Sequence, residues 1–391
     1  MKNIKLADKL ECVGCGVCES VCPLKCIKMS ISGTIHYYPQ VNVYECISCG
    51  RCVSVCPPLN ISTRSEKNLL EPVNQTFYAA WNNNSDIKKT ATSGGVASGL
   101  YQTALALGYH ICGATFDENW HLYHMVSADP ADIELFKGSK YLQSDTYAVY
   151  NKIVKLLNND EKVLFVGTPC QVDALSRVVP DNKRSILITC SIICHGVNSP
   201  VVWRDFINAL QQKEKQTIVN YNFRSKVFGW GKLAIDYTLS NGKKRIQKST
   251  NNLFHYWFGH HFMLRPACIK CSYRGIQRYA DLTIGDFWGI EKVLPGIDTK
   301  EGISVLISST SKGQSFLMTC KNISLIECKS EETIKVLKGF LQKRSSAVLD
   351  AEIERAAFFE REYVSTGYEN MSKKYKLPSK LSRLLSVLIR K

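Results

Sequence analysis

Apolar and polar residues alternate between two textures along most of this chain. Residues 77–81 are a short apolar run followed by an Asn-rich turn. Val96, Leu100, Ala104 and Leu107 then recur at helical spacing up to Gly108. Residues 109–116 and 122–127 read as a strand pair around Asp117-Glu118-Asn119, and Asp129-Pro130 opens a short helix. Residues 147–157 are apolar at helical spacing. Residues 162–166 form a short apolar run that predicts a buried strand, with a helix expected near Pro169. Residues 185–194 predict a second strand, ending in Cys194-His195-Gly196. Ser199-Pro200 starts an amphipathic helix through Leu210, and Asn241-Gly242 between alternating runs marks a hairpin. Strands alternating with helices predict an α/β domain with a mixed, partly parallel sheet over residues 76–330.

The flanks differ. Residues 31–43 read as a hairpin turning at Ser32-Gly33, and residues 63–75 as a polar linker. Residues 331–391 are helical and basic. Leu381, Leu384, Leu385 and Leu388 share a helical face there, with Lys380, Arg383, Arg390 and Lys391 nearby. Such a helix can adhere weakly to an anionic bilayer or dock on its own domain or a partner, and both readings stand.

The cysteines add chemistry. Cys12, Cys15, Cys18 and Cys22, then Pro23, reappear 34 residues later as Cys46, Cys49, Cys52 and Cys56, then Pro57. Both copies read C-x2-C-x2-C-x3-C-P, the spacing that holds two [4Fe-4S] clusters in bacterial-type ferredoxins. Three cysteines on a tight loop grip one cluster, and the fourth reaches the other. Cys12, Cys15, Cys18 and Cys56 are therefore assigned to one cluster, and Cys46, Cys49, Cys52 and Cys22 to the second. Cys26 lies outside both runs and reads as a small buried apolar group. The expected architecture is an α+β ferredoxin-like two-cluster module (1–62), the α/β domain, and a helical C-terminal tail.

Composition narrows the setting. With 391 residues, 45% of them hydrophobic, two domains can bury substantial cores. Seventeen cysteines would suit a secreted disulfide scaffold, but such scaffolds are short and follow a signal peptide. The first ten residues instead carry Lys2, Lys5, Asp8 and Lys9, and no stretch approaches a membrane span. A reducing cytoplasmic setting is expected, peripheral to the inner membrane face if the tail adheres. The net charge of +16 is spread along the chain, and no nucleic-acid module is visible, so nucleic acid is the weakest partner reading.

Four features of the large domain suggest a redox site. Thr92-Ser93-Gly94-Gly95 at a helix start suits a phosphate, although Ser-Gly-Gly before a helix is commonly only a cap. Ser139-Lys140-Tyr141 offers a cation for a phosphate or flavin carbonyl and a ring for stacking; an ordinary polar loop is its bland alternative. Cys170, Cys194, Cys268 and Cys271 can hold a third [4Fe-4S] cluster or a zinc ion, or remain buried thiols. Cys170 is placed at a helix N-terminus, where a thiolate is favoured. Asp286, in Asp281-Leu-Thr-Ile-Gly285-Asp286-Phe287-Trp288-Gly289, can orient a cofactor or substrate, or cap its loop. His195 can donate a proton, or serve only structurally.

In this order, the twin cysteine runs, residues 92–95, 138–144, 167–171, 194–196, Phe223-Arg224-Ser225-Lys226 with Gly229-Trp230, residues 265–271 and residues 281–289 resemble the coenzyme F420 hydrogenase/dehydrogenase beta-subunit family. The resemblance covers roughly residues 1–330. It implies an iron–sulfur flavoprotein oxidoreductase, with FAD in the large domain exchanging electrons between clusters and an organic acceptor. Relatives reduce a deazaflavin, or a chlorophyll derivative in plants. Bacterial relatives with a fused ferredoxin module lie among polysaccharide-assembly genes, which implies such enzymes as partners. A soluble ferredoxin or flavodoxin is the expected electron donor. A non-catalytic electron-transfer subunit and an assembly scaffold are the competing readings.

Overall fold

The computed structural model describes residues 4–61, 75–275, 279–341 and 346–379. The linker up to residue 74 and the leucine face of the tail lie outside the described residues. In the module, β1 (Ile27–Ser30) pairs antiparallel with β2 (Tyr38–Val41), and four-residue helices Val17–Ser20 and Arg51–Ser54 follow the second cysteine of each run. The first strand thus begins four residues before the predicted hairpin.

The large domain is built on β3 (Thr76–Asn82), β4 (Tyr109–Phe116), β5 (Leu122–Ser127), β6 (Lys162–Gly167), β7 (Leu187–Ile192), β8 (Ile218–Ser225), β9 (Ala234–Leu239), β10 (Lys244–Lys248), β11 (Leu282–Asp286), β12 (Ser304–Ser308) and β13 (Ile323–Cys328). Eight of them form one mixed sheet in the order β13-β3-β12-β11-β7-β6-β4-β5. β4, β6, β7 and β11 run parallel, and the pairs beyond them are antiparallel. β6 and β7 are buried along nearly their whole length, as strands covered on both faces must be. Leu100, Ile111, Leu164, Ile188 and Leu306 fill one core of this domain. Asp281 ties strands and helix together, accepting from Thr189 N and Oγ1 and from Thr310 Oγ1 at 2.7–2.9 Å. A separate antiparallel sheet, β10-β9-β8, carries the aromatic core of Trp203, Phe223, Phe254 and Trp257.

Within the described residues the C-terminal segment is helical and docks on its own domain, one of the two readings open for it. The helix Ser346–Lys374, broken at Gly367, buries Phe359, Tyr363 and Met371 against that aromatic core. Trp257 Nε1 donates to the Tyr375 carbonyl at 2.8 Å. No helix among the described residues is long and apolar enough to cross a membrane.

The module is clasped to the large domain through its main chain. Gln143 Nε2 donates to the Gly14 carbonyl at 3.2 Å, Thr146 Oγ1 to Cys15 at 2.5 Å, and Ser199 Oγ to Ile35 at 2.6 Å. Asn151 Nδ2 and Arg177 Nη2 donate to Ser20 and Asn60 at 3.0 and 2.9 Å. A Cβ on Gly14 would lie 2.4 Å from Gln143 Nε2, so only glycine permits this approach.

Candidate redox site

Two small cavities open inside the module. One is walled by Cys12, Cys15, Cys18 and Cys56 with Leu6 and Met29, the other by Cys22, Cys46, Cys49 and Cys52 with Ile27 and Ile47. Each wall draws three thiols from one run and one from the other. Cys26, outside both runs, also lines the second cavity, with Sγ 3.4 Å from Cys22 Sγ. Cys18 of the first cavity and Cys52 of the second belong to one buried cluster of the module. Cys49 is exposed, so the second is the outer one.

A third cavity sits at the carboxyl edge of the parallel strands. Cys170 follows β6 at the start of the helix Pro169–Ser176, Cys194 follows β7, and Cys268 lies in the short helix Pro266–Ile269 before Cys271. All four line one space of about 710 Å³, part of it open to solvent, and Cys15 of the module lines it too. Tyr273 OH donates to the buried Asp173 at 2.6 Å, and Arg274 Nη2 to the His195 carbonyl at 2.9 Å, which holds the Cys268–Cys271 loop in place. Burial pushes the Cys170 thiol up to about 11 and Cys268 up to about 12, and Cys194 rises as well. At Cys170, enclosure outweighs the helix terminus expected to favour a thiolate. Among the described residues, no three His, Cys, Asp or Glu side chains converge closely enough to hold a single ion.

Beside this cavity, sharing Cys194, His195 and Gly196 with it, lies a cleft of about 1380 Å³ including its open mouth. Thr92, Ser93, Gly95, Ser139, Lys140, Tyr141, His124 and Asp286 line it, with the first turn of the helix Val96–Ala106 at one end. The Thr92–Gly95 loop is itself held from outside. Ser93 Oγ donates to the Ile303 carbonyl at 2.9 Å, Gly94 N donates to Ser304 Oγ at 3.0 Å, and Thr92 Oγ1 accepts from Ser139 N at 3.0 Å. Lys226 Nζ donates to the carbonyls of Lys88, Ser93 and Glu301 at 2.5–2.7 Å. The two hydroxyls predicted to face a phosphate are thus tied to the scaffold, which leaves Gly95 and the helix terminus facing the cleft.

Lys140 donates to the Lys137 carbonyl at 2.9 Å, and burial draws its amine down to about 7. The Tyr141 ring already packs against Phe258, centroids 5.1 Å apart, so its predicted stacking partner is internal. His124 is kept neutral, down to about 4 by burial: Nε2 donates to the Val166 carbonyl and Nδ1 accepts from Ser144. Asp286 is engaged on both oxygens, by Arg224 Nη1 at 3.1 Å and Trp230 Nε1 at 3.0 Å, and Trp230 stacks on Trp288 at 4.4 Å. His195 Nε2 lies 2.8 Å from His261 Nε2, and His261 Nδ1 lies 3.1 Å from Glu352. With Nδ1 of His261 donating to that carboxylate, its Nε2 accepts and His195 donates. Arg224 and Lys226 stood in the sequence without a role. His261 and Glu352 carried no local signal at all.

Comparison with known proteins matches this arrangement to described families. A model for the N-terminal part of the coenzyme F420 hydrogenase/dehydrogenase beta subunit matches residues 77–150, and one for its C terminus matches residues 160–334. A 4Fe-4S dicluster domain model matches residues 11–60. A subunit of the F(420)H(2) dehydrogenase of Methanosarcina mazei is 24% identical over 292 residues, 72% of this chain and 78% of that protein. A chain from the F420-reducing [NiFe] hydrogenase complex of Methanosarcina barkeri superimposes with a TM-score of 0.47 at 17% identity, covering 74% of this chain and 92% of that one.

Proposed function

Because this chain belongs to the coenzyme F420 hydrogenase/dehydrogenase beta subunit family and carries a 4Fe-4S dicluster domain, we propose that it is an iron–sulfur flavoprotein oxidoreductase. In this reading the three thiol-lined cavities hold three [4Fe-4S] clusters and the cleft holds FAD. Bound clusters would supply one-electron transfer, and a bound flavin would couple it to the two-electron chemistry of an organic acceptor. The observation that carries the reading is the sharing of walls. Cys15 lines both the inner module cavity and the third one, and Cys194 lines both the third cavity and the cleft. The residues of this chain would thus hold four redox sites in series.

The cleft residues have separable roles. The helix terminus at Val96 and the Lys140 amine would receive a flavin phosphate. Asp286 would act as a positioning residue, since both its oxygens are committed to Arg224 and Trp230, and His195 would do so through the bond of its Nε2 to His261. At the outer cavity, Leu24 and Ile47 are exposed along with Cys49. Residues 1–61 carry six basic and four acidic side chains, so the chain's positive charge lies mainly elsewhere. Contact with a small ferredoxin- or flavodoxin-like donor would rest on this apolar surface more than on charge. The acceptor would be a small organic molecule entering the cleft, in line with the resemblance to chains of polysaccharide-assembly clusters.

Anaerobic iron, sulfide and flavin analysis tests the reading. About twelve irons and one flavin per chain are expected, at four irons per cluster. Cys268→Ser should remove about four of those irons and leave the module's cubanes intact. Full iron content in that variant would remove the third cluster. The Methanosarcina mazei relative is one subunit of a dehydrogenase, which favours a second reading: an electron-transfer subunit serving a partner enzyme. Iron–sulfur absorbance without flavin would select it.

A further inference from the structure

Arg265 is fully buried at the seam between module and large domain. Its Nε donates to the Cys12 carbonyl at 2.7 Å, and Nη1 donates to the Tyr37 carbonyl and Gln143 Oε1 at 3.0 and 3.1 Å. Nη2 points at Cys12 Sγ from 3.4 Å, and the guanidinium carbon sits 4.1 Å over the Tyr38 ring. Among the described residues, no ion pair joins it to a carboxylate. A buried charge without a counter-ion is strongly unfavourable. Glu360 senses the guanidinium without pairing with it, so the opposite charge in direct contact is what the neighbouring cysteines carry. A cubane on four thiolates is a net anion in both oxidation states, and more so when reduced.

We propose that Arg265 is a built-in counter-cation that raises the reduction potential of the inner module cluster above that of the outer one. This rests on the ligation proposed above for Cys12, Cys15, Cys18 and Cys56. Hydrogen bonds to cluster sulfur and nearby net charge are two of the levers by which a protein sets such potentials. Arg265 applies both at once, in a site without solvent screening. The outer cavity has no equivalent: the charged residue on its wall is Arg51, which is exposed. The gradient drives electrons inward from the exposed Cys49 toward Cys15. Lysine cannot reproduce the arrangement, because it lacks the planar fork that reaches two carbonyls and a sulfur together.

Potentiometric EPR on the anaerobic full-length protein decides it. In Arg265→Gln, poised at the wild-type midpoint of the inner cluster, the reduced-to-oxidised ratio should fall at least tenfold, a drop of about 59 mV for a one-electron couple. Arg265→Lys should shift less, and the outer cluster should not move. An Arg265→Gln protein with full iron and an unshifted inner cluster overturns the proposal, as do equal shifts at both clusters. If that variant does not fold, wild-type protein labelled with 15N-arginine replaces it. ENDOR on the reduced inner cluster should then show a 15N coupling, and its absence overturns the proposal. Failure of the ligation itself registers separately, as wild-type protein lacking the module's iron, and takes the inference with it.

Discussion

The ring of Tyr147 fills the space that a side chain on Gly16 would need: a Cβ there would lie 2.2 Å from Cδ1 and 2.6 Å from Cε1. Gly16 also has φ 73°, in the left-handed region. Gly16→Ala therefore combines a backbone penalty of roughly 1–2 kcal/mol with a clash at the seam. Its expected outcome is a lower Tm and faster proteolytic release of the module. A melting curve and digestion pattern like the wild type's would refute this account of the seam.

Lys226 holds three carbonyls around the Thr92–Gly95 loop. Each buried acceptor left unsatisfied costs roughly 1–3 kcal/mol. Lys226→Met should loosen the loop and weaken FAD binding at least tenfold, about 1.4 kcal/mol, with iron content unchanged. Calorimetric titration of FAD into deflavinated protein measures this, and unchanged affinity would remove the clamp.

Lys140 gives a pH dependence of defined sign. Its folded-state value is drawn down to about 7, whereas the unfolded chain holds that proton to about 10.4. Between those values the unfolded state binds more protons, so stability rises with pH and is lost again as pH falls through 7. Lys140→Met should accordingly stabilise the protein most at pH 6.5, with the advantage fading toward pH 10. At pH 8, FAD binding to the wild type should take up a proton, as the phosphate restores the ammonium. Titrations in two buffers of different ionisation enthalpy detect that uptake; its absence would separate Lys140 from the phosphate.

Asp286 and Arg224 form a pair whose side chains are only 16% and 12% exposed. Removing one partner of such a pair costs about 3–5 kcal/mol when fully buried, somewhat less here. Asp286→Asn should lower Tm and leave the pH dependence of turnover in place. A displaced pH profile with unchanged Tm would restore Asp286 as an acid–base group.

Much of this was legible locally. Residues 162–166 and 185–194 stand out as apolar runs, because strands covered on both faces have no polar side to reveal. The eight module cysteines are equally plain, since their spacing is set by the geometry of a cubane. The docked helix Ser346–Lys374 is not. Phe359, Tyr363 and Met371 are separated by charged residues, and a seam one residue wide is lost in that background. β12 and β13 escape a local reading, being antiparallel additions far in sequence from β3, their partner. Arg265 to Cys12 and His195 to His261 are contacts of the folded chain, 253 and 66 residues apart, with no trace in any local window. Cys26 reads as packing in the sequence and is buried in the module's core cluster, while its place beside Cys22 is visible only in the fold.

The seam between module and body is gripped largely at main-chain carbonyls of Gly14, Cys15, Ser20, Ile35, Tyr37 and Asn60. Carbonyls are common to every amino acid. These hydrogen bonds therefore make no demand on module side chains, and the side-chain requirement on the module falls instead on its packing residues, Val17, Ile35, Tyr37 and Tyr38, which meet the body directly. A foreign dicluster module with the same backbone course would find its hydrogen-bond donors waiting, and would seat only if it also presented apolar and aromatic side chains at those four positions.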